Sequence, residues 1–267
     1  MDDSASASRV LIRYEDGSIR KVADKLATER PITIVVNGEE FATLVCTPGY
    51  VEDMAVGYLA SEGVLEDVGN LADIGYDDRT GMVYAEIGSV SAWIKESGSK
   101  RYLSSCCGKS RPSFVFYGDA RTTRPVDSRD VSLSYDTCIR MMTEMQEQSG
   151  LFRQTGGVHN AALFSREGTL LLTRMDIGRH NALDKLYGYS LRNGVKTEET
   201  VLAFSGRVSS EVLLKAAKMR CEILLSKSAA TDLAIELAEQ LGITVVGFIR
   251  NRSLNVYSHP ERIYEGV

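Results

Sequence analysis

The stretch TVLAFSGRVSSEVLLKAAKMRCEILLSKSAATDLAIELAEQLGITVVGFIR, residues 200–250, decides the fold class. Three short apolar runs, TVLAF, EILLS and TVVGFIR, are separated by two segments with helical spacing. In the second of these Leu233, Leu237 and Leu241 fall on one face, and Gly242 is the stop signal. Strands alternating with helices call for crossover connections, so the reading is α/β, with a mostly parallel sheet covered on both faces. Each strand runs into a polar turn: Ser205, Gly206 and Arg207 after the first, Ser226, Lys227 and Ser228 after the second. The third ends in Phe248, Ile249 and Arg250 and continues into Asn251, Arg252 and Ser253. Successive parallel strands place such turns on one carboxyl edge, where backbone N–H groups and helix N-termini bind anions. One such turn is weak evidence; three with arginine or lysine predict a phosphate-bearing ligand.

Upstream, SYDTCIRMMTEMQEQSG reads as a helix, VHNAALFSREGTLLLTRMDIG as a hairpin turning at Glu167–Gly168, and HNALDKLYGYSLRNG as a helix ending at Asn193–Gly194. Residues 126–267 thus form the larger domain. His159-Asn160 and His180-Asn181 flank its hairpin. A histidine beside a helix start is commonly a structural capper, but two His-Asn pairs raise the case for a site. Residues 9–46 alternate apolar and polar positions around Asp16–Gly17 and Asn37–Gly38, the signature of two hairpins. TPGYVEDMAVGYLASEG is a short helix, and MVYAEI a strand. A smaller α+β domain over 9–125 follows, making the whole chain α+β, while residues 1–8 read as a disordered tail.

The net charge of −5 argues against a dedicated nucleic-acid binder. No apolar run reaches the ~18 residues needed to span a bilayer. The acidic start, MDDSASASR, lacks the basic and apolar regions of a signal peptide. Five scattered cysteines without such a signal predict free thiols in a reducing cytoplasm.

Two of them, Cys106 and Cys107, adjoin in YLSSCCGKSR, residues 102–111, within a polar segment (100–111) read as a loop. A vicinal disulfide would close a strained ring and stabilise little. Adjacent cysteines also lack the spacer of a zinc half-site. A functional thiol then stands against chance: Arg101, Lys109 and Arg111 favour the thiolate. Cys46, Cys138 and Cys221 lie in apolar contexts and read as buried small hydrophobes.

TGGVHNAAL, DIGRHNALDK, SGRVSSE, LLSKSAATDLAIELA, VGFIRNRSLNVYSHPERI and the SSCCGKSR loop, in this order apart from the loop, which lies upstream, together resemble the FdhD family of formate dehydrogenase accessory proteins. The resemblance implies a sulfur carrier that takes persulfide sulfur from a cysteine desulfurase and passes it to the molybdenum bis(guanine dinucleotide) cofactor for the formate dehydrogenase apoenzyme. It further implies a cytidine-deaminase-like three-layer larger domain with a mixed sheet, a homodimer, and a guanine-nucleotide site, for which GDP is the fragment ligand. His159 and His180 would help position that ligand. Many members read Cys-Gly-x-Cys-Gly. Ungapped alignment sets Ser110 at the second cysteine and makes Cys107 the persulfide carrier, with Cys106 its neighbour; a gapped alignment reverses the choice. Zinc deamination is a poor rival, because Ala182 stands two positions after His180 where the acid/base Glu is needed and no Pro-Cys-x-x-Cys follows; no intrinsic metal is expected. A cofactor-binding chaperone that transfers no sulfur is the alternative function.

Overall fold

A computed structural model describes residues 3–88, 101–103 and 123–266 and contains two principal sheets. The chain starts with a ribbon, β1 (Ser6–Glu15) and β2 (Ser18–Ala27), closed by Asp16 and Gly17 at φ 49° and 78°. These left-handed angles define the two-residue turn that Asp-Gly predicts. A second hairpin, β3 (Arg30–Val36) and β4 (Glu39–Cys46), turns at Asn37–Gly38 in the same way. The helix α1 (Val51–Ser61) follows, then β5 (Leu71–Asp77), β6 (Met82–Ile87) and β7 (Arg101–Leu103). The first principal sheet has the order β5-β6-β3-β4-β7. Ile32, Ile34, Leu44, Val83 and Ala85 pack from it onto Met54, Ala55 and Leu59 of α1.

Beyond Thr123 come β8 (Leu133–Ser134), the helices α2 (Tyr135–Glu147) and α3 (Gly150–Thr155), and the hairpin β9 (His159–Ser165) with β10 (Leu170–Asp176). The helix α4 (Arg179–Asn193) leads to β11 (Thr200–Phe204), α5 (Ser210–Lys218), β12 (Ile223–Ser226), α6 (Asp232–Leu241), β13 (Thr244–Arg250), β14 (Ser253–Val256) and β15 (Ile263–Tyr264). The second principal sheet has the order β10-β9-β11-β12-β13-β14. Its strands send alternate side chains to opposite faces. Leu163, Leu202, Leu224 and Val245 meet α4, α5 and α6 on one face. Phe164, Val201, Ala203, Ile223, Leu225 and Val246 meet α2 on the other. The sheet is therefore the middle of three layers.

Several expectations change. The sheet is mixed, as the family resemblance implies, and not mostly parallel as strand–helix alternation alone suggests: only β11–β12 and β12–β13 run parallel, because hairpin partners flank them on both sides. The segment read as a disordered tail is a 3-10 turn at Asp3–Ala5 running into β1, where Ser6 pairs with Ala27; residues 1–2 lie outside the described residues. Small Ser and Ala residues carry no strand signal, and the partner strand supplies it. Leu233 is exposed on α6, whose buried stripe is Ala234, Leu237, Ala238 and Leu241. Within the segment read as a loop, Arg101–Leu103 forms β7, parallel to β4.

The two sheets are joined by α1 and α4. Gly57 and Gly188 meet at their crossing, so closely that a Cβ on Gly188 would lie 1.8 Å from the Asp53 carbonyl oxygen. Polar bonds complete the seam. Lys185 Nζ lies 2.7 Å from Asp176 Oδ2 and donates to the Thr47 carbonyl at 2.7 Å, with both charged side chains fully buried. The Thr47 N–H donates to Asp176 Oδ2 at 3.0 Å, and Asn181 Nδ2 donates to the Val45 carbonyl at 2.9 Å. A second buried pair, Lys215 with Asp184, is completed by the Ser61 hydroxyl. Arg174 is clamped between the rings of Tyr50 and Tyr189, 3.9 and 4.3 Å from their centroids, and faces Asp53.

Candidate functional site

Because β11, β12 and β13 are parallel, their carboxyl ends emerge on one edge, and the antiparallel β9 begins there. The Ser205 N–H donates to the Asn160 carbonyl, Lys227 N–H to Phe204, and Phe248 N–H to Ser228, each at 3.0–3.2 Å. The turns after β11 and β12 are also zipped together: Val208 N–H donates to Ala229, and Thr231 N–H to Val208. Rigid backbone thus brings together all three segments read from the sequence.

What they present differs residue by residue. Arg207, Lys227, Arg250, Asn251, Arg252 and Ser253 are exposed. Ser226 is fully buried, its hydroxyl donating to the Gly206 carbonyl at 2.8 Å and accepting the Ser228 N–H at 3.0 Å. Ile249 is buried in the core beneath the sheet, so only its backbone is available to the edge. Phe248 lies 5.3 Å from the Arg250 guanidinium, placing a cation over an aromatic ring. The β13–β14 hairpin carries a register irregularity between Gly247 and Arg250, and Phe248, Asn251 and Arg252 all have positive φ, at 52°, 49° and 62°. Bulky residues held in this region store local strain, a feature that clusters at functional sites. Gly247 is required here: a Cβ would sit 2.8 Å from both the Ser228 carbonyl and the Tyr257 ring.

The two histidines separate in role. His159 Nδ1 lies 3.3 Å from Ser205 Oγ, and that oxygen already accepts the Asn160 N–H at 2.9 Å. The Ser205 hydroxyl keeps one lone pair and its own hydrogen, so it serves Nδ1 as acceptor or donor according to the ring's tautomer. Burial, and then the nearby Arg179 charge, lower the His159 pKa. Its partner across the hairpin is Asp176, so the seam and the edge are contiguous. His180, in the first turn of α4, instead faces Glu211 of α5, with Nε2 3.6 Å from the carboxylate.

Cys106 and Cys107 lie outside the described residues, as do most of their neighbours. Their point of departure is defined: β7 ends at Leu103 opposite Leu44 of β4, and β4 runs on to Thr47, which is bonded to Asp176 beside His159. The other three cysteines are buried free thiols, and burial pushes each up to about 12. Among the described residues no group of three or more His, Cys, Asp or Glu is placed to hold a metal ion, and no helix is long and apolar enough to cross a membrane. The sequence reading left out the Ser205–His159 contact and the strained β13–β14 turn. The first joins residues 46 positions apart, and the second carries no glycine at its positive-φ positions, so neither has a local signal.

Fold and edge together define a two-sheet α+β protein with a cationic rim beside the seam between its sheets. The chain belongs to the FdhD/NarQ family, whose model matches residues 27–264. It is 50% identical over 264 residues to the sulfur carrier protein FdhD of Shouchella clausii (strain KSM-K16), covering 98% of each chain. To the sulfur carrier protein FdhD of Bacillus subtilis (strain 168) it is 49% identical over 265 residues, covering 99% of this chain and 100% of the relative. Its fold matches a crystal structure of a formate dehydrogenase accessory protein from Desulfotalea psychrophila with a TM-score of 0.79 at 22% identity, covering 97% of this chain and 100% of that one.

Proposed function

We propose that this chain is a sulfur carrier serving a formate dehydrogenase. A Cys107 thiolate attacks the outer sulfur of a cysteine desulfurase's persulfide; the donor cysteine leaves as a thiolate, and the carried sulfur sits as a persulfide on Cys107, with Cys106 beside it. The transfer is neutral in electrons, since one S–S bond forms as another breaks. The acceptor is the molybdenum bis(guanine dinucleotide) cofactor, bound as substrate along the cationic rim with its diphosphates at Arg207, Lys227, Arg250 and Arg252 and its orientation assisted by His159. The observation that carries this reading is topological: β7 leads toward the cysteines from beside β4, and Thr47, just past β4, bonds to Asp176 of β10, whose partner across the hairpin is His159 at the rim. The names of the relatives support it independently. A helix-covered mixed sheet is compatible with a cytidine-deaminase-like larger domain, and the reading includes a cytoplasmic homodimer.

Two measurements test it. After incubation with a desulfurase and cysteine, intact mass should show a +32 Da adduct mapping to the Cys107 peptide, absent in Cys107→Ala and reduced less in Cys106→Ala. GDP should bind wild type, and Arg207→Ala should lose about 1.5–3 kcal/mol, or roughly one to two decades in affinity. Full loading of Cys107→Ala moves the carrier to Cys106. Undiminished formate dehydrogenase activation with both cysteines replaced favours a cofactor-binding chaperone, and equal GDP affinities remove Arg207 from the site.

A further inference from the structure

The β1–β2 ribbon is the least covered part of the molecule. Val10, Ile12, Tyr14 and Ile19 are 74%, 67%, 72% and 73% exposed. The register sets Tyr14 opposite Ile19, Ile12 opposite Lys21 and Val10 opposite Ala23, so the four large side chains share one face. A two-stranded ribbon is marginal in water, and a contiguous apolar patch of this kind marks a contact surface. β2 rests on α3, with Lys25 Nζ 3.3 Å from Gln154 Oε1. Among the described residues β1 pairs only with β2, leaving its outer edge open along ten residues that hold no proline and no bulge. Proteins ordinarily blunt such an edge unless something pairs with it.

The turn fixes which groups that edge offers. Glu15 and Ser18 close a two-residue loop and exchange both hydrogen bonds, so odd-numbered residues of β1 bond to β2. Val10, Ile12 and Tyr14 therefore direct their N–H and C=O groups outward. We infer that two copies of this chain pair through the β1 edge, antiparallel about a two-fold axis at Ile12, into a four-stranded β2-β1-β1-β2 sheet. The register is self-complementary. With Ile12 opposite its own copy, Val10 meets Tyr14 on the apolar face, and all are outward-facing, hydrogen-bonding positions. On the other face Arg9 meets Glu15, a favourable charge pair that occurs twice by symmetry. Centring the axis on Leu11 instead would oppose Arg9 to Arg13 and use inward-facing groups, so parity and charge select the same alignment. This inference deepens the homodimer reading above and rests on it.

The test uses the full chain with Cys106→Ser and Cys107→Ser, leaving only three buried thiols. Ile12→Pro removes one outward N–H per copy without touching a β1–β2 bond, which an edge strand tolerates. Sedimentation should show a dimer for the parent and pairing weakened roughly 10- to 100-fold for Ile12→Pro. Ile12→Cys should give a disulfide-linked dimer under mild oxidation, mapped to residue 12, because paired Cα atoms about 5.5 Å apart suit a disulfide. Arg9→Glu should weaken the dimer and Glu15→Arg added to it should restore it. A monomeric parent overturns the dimer reading itself. A dimeric parent whose Ile12→Cys variant forms no link at residue 12 overturns the β1 edge and leaves the dimer standing, and this arm holds even if Ile12→Pro fails to fold.

Discussion

Replacing Lys185 by methionine tests the seam most directly. The substitution keeps volume and apolar stem but removes the ammonium from between Asp176 Oδ2 and the Thr47 carbonyl, each 2.7 Å away. Lys185 and Asp176 are 1% and 0% exposed, so water cannot substitute for the lost partner. Breaking one side of a buried pair typically costs about 3–5 kcal/mol, because it leaves an uncompensated charge. Asp176 retains donors from Thr47 N–H at 3.0 Å, Gly178 N–H at 2.7 Å and Asn181 Nδ2 at 3.0 Å, which favours the lower end of that range. At roughly 2 cal/mol/K of unfolding entropy per residue, about 3 kcal/mol lowers Tm by about 5 °C for a chain of this length. Scanning calorimetry with urea unfolding is the assay. The control is Lys196→Met, whose partner Glu199 shares an exposed pair and which should change stability by no more than about 0.5 kcal/mol. If Lys185→Met loses less than about 1 kcal/mol, the buried pair does not hold the two sheets together and the reasoning fails.

Gly188→Ala would bring a methyl to 1.8 Å from the Asp53 carbonyl and 2.6 Å from the Gly57 nitrogen. Backbone must yield there, so destabilisation of about 3 kcal/mol is expected despite the gain in helix propensity, and a stability equal to wild type would refute the close crossing. Thiol titration at pH 8 should label Cys106 and Cys107 in the native chain and all five cysteines only after denaturation, since burial pushes Cys46, Cys138 and Cys221 up to about 12. His159 should titrate below the usual 6.5 in a pH series of histidine NMR shifts. With the folded value lowered, the unfolded chain binds more protons, so stability present above the unfolded pKa is lost as pH falls from there through the folded pKa. His159→Gln should flatten that dependence, and an unchanged slope would count against it.

The sequence by itself determined the local architecture. Asp16–Gly17 and Asn37–Gly38 dictate their turns through backbone geometry, and the spacing of residues 200–250 dictates strand, helix and strand in order, which in turn aligns three cationic turns on one edge. Such signals act within a few residues. Partners far along the chain decided the rest. Asp176 and Lys185 sit in DIGRHNALDK, one of the segments that carry the family resemblance, but Thr47, 129 positions before Asp176, closes over them and makes them an interior ion pair. Leu233 has the spacing of a core residue and faces solvent because the sheet meets α6 along Ala234, Leu237, Ala238 and Leu241. His159 gained its contact with Ser205 from a strand end 46 positions away, and β7 gained its strand from β4. The amphipathic alternation of Val10, Ile12 and Tyr14 predicts a strand equally well whether that face is buried or open. Periodicity records which residues share a face; only the packed chain settles what that face meets.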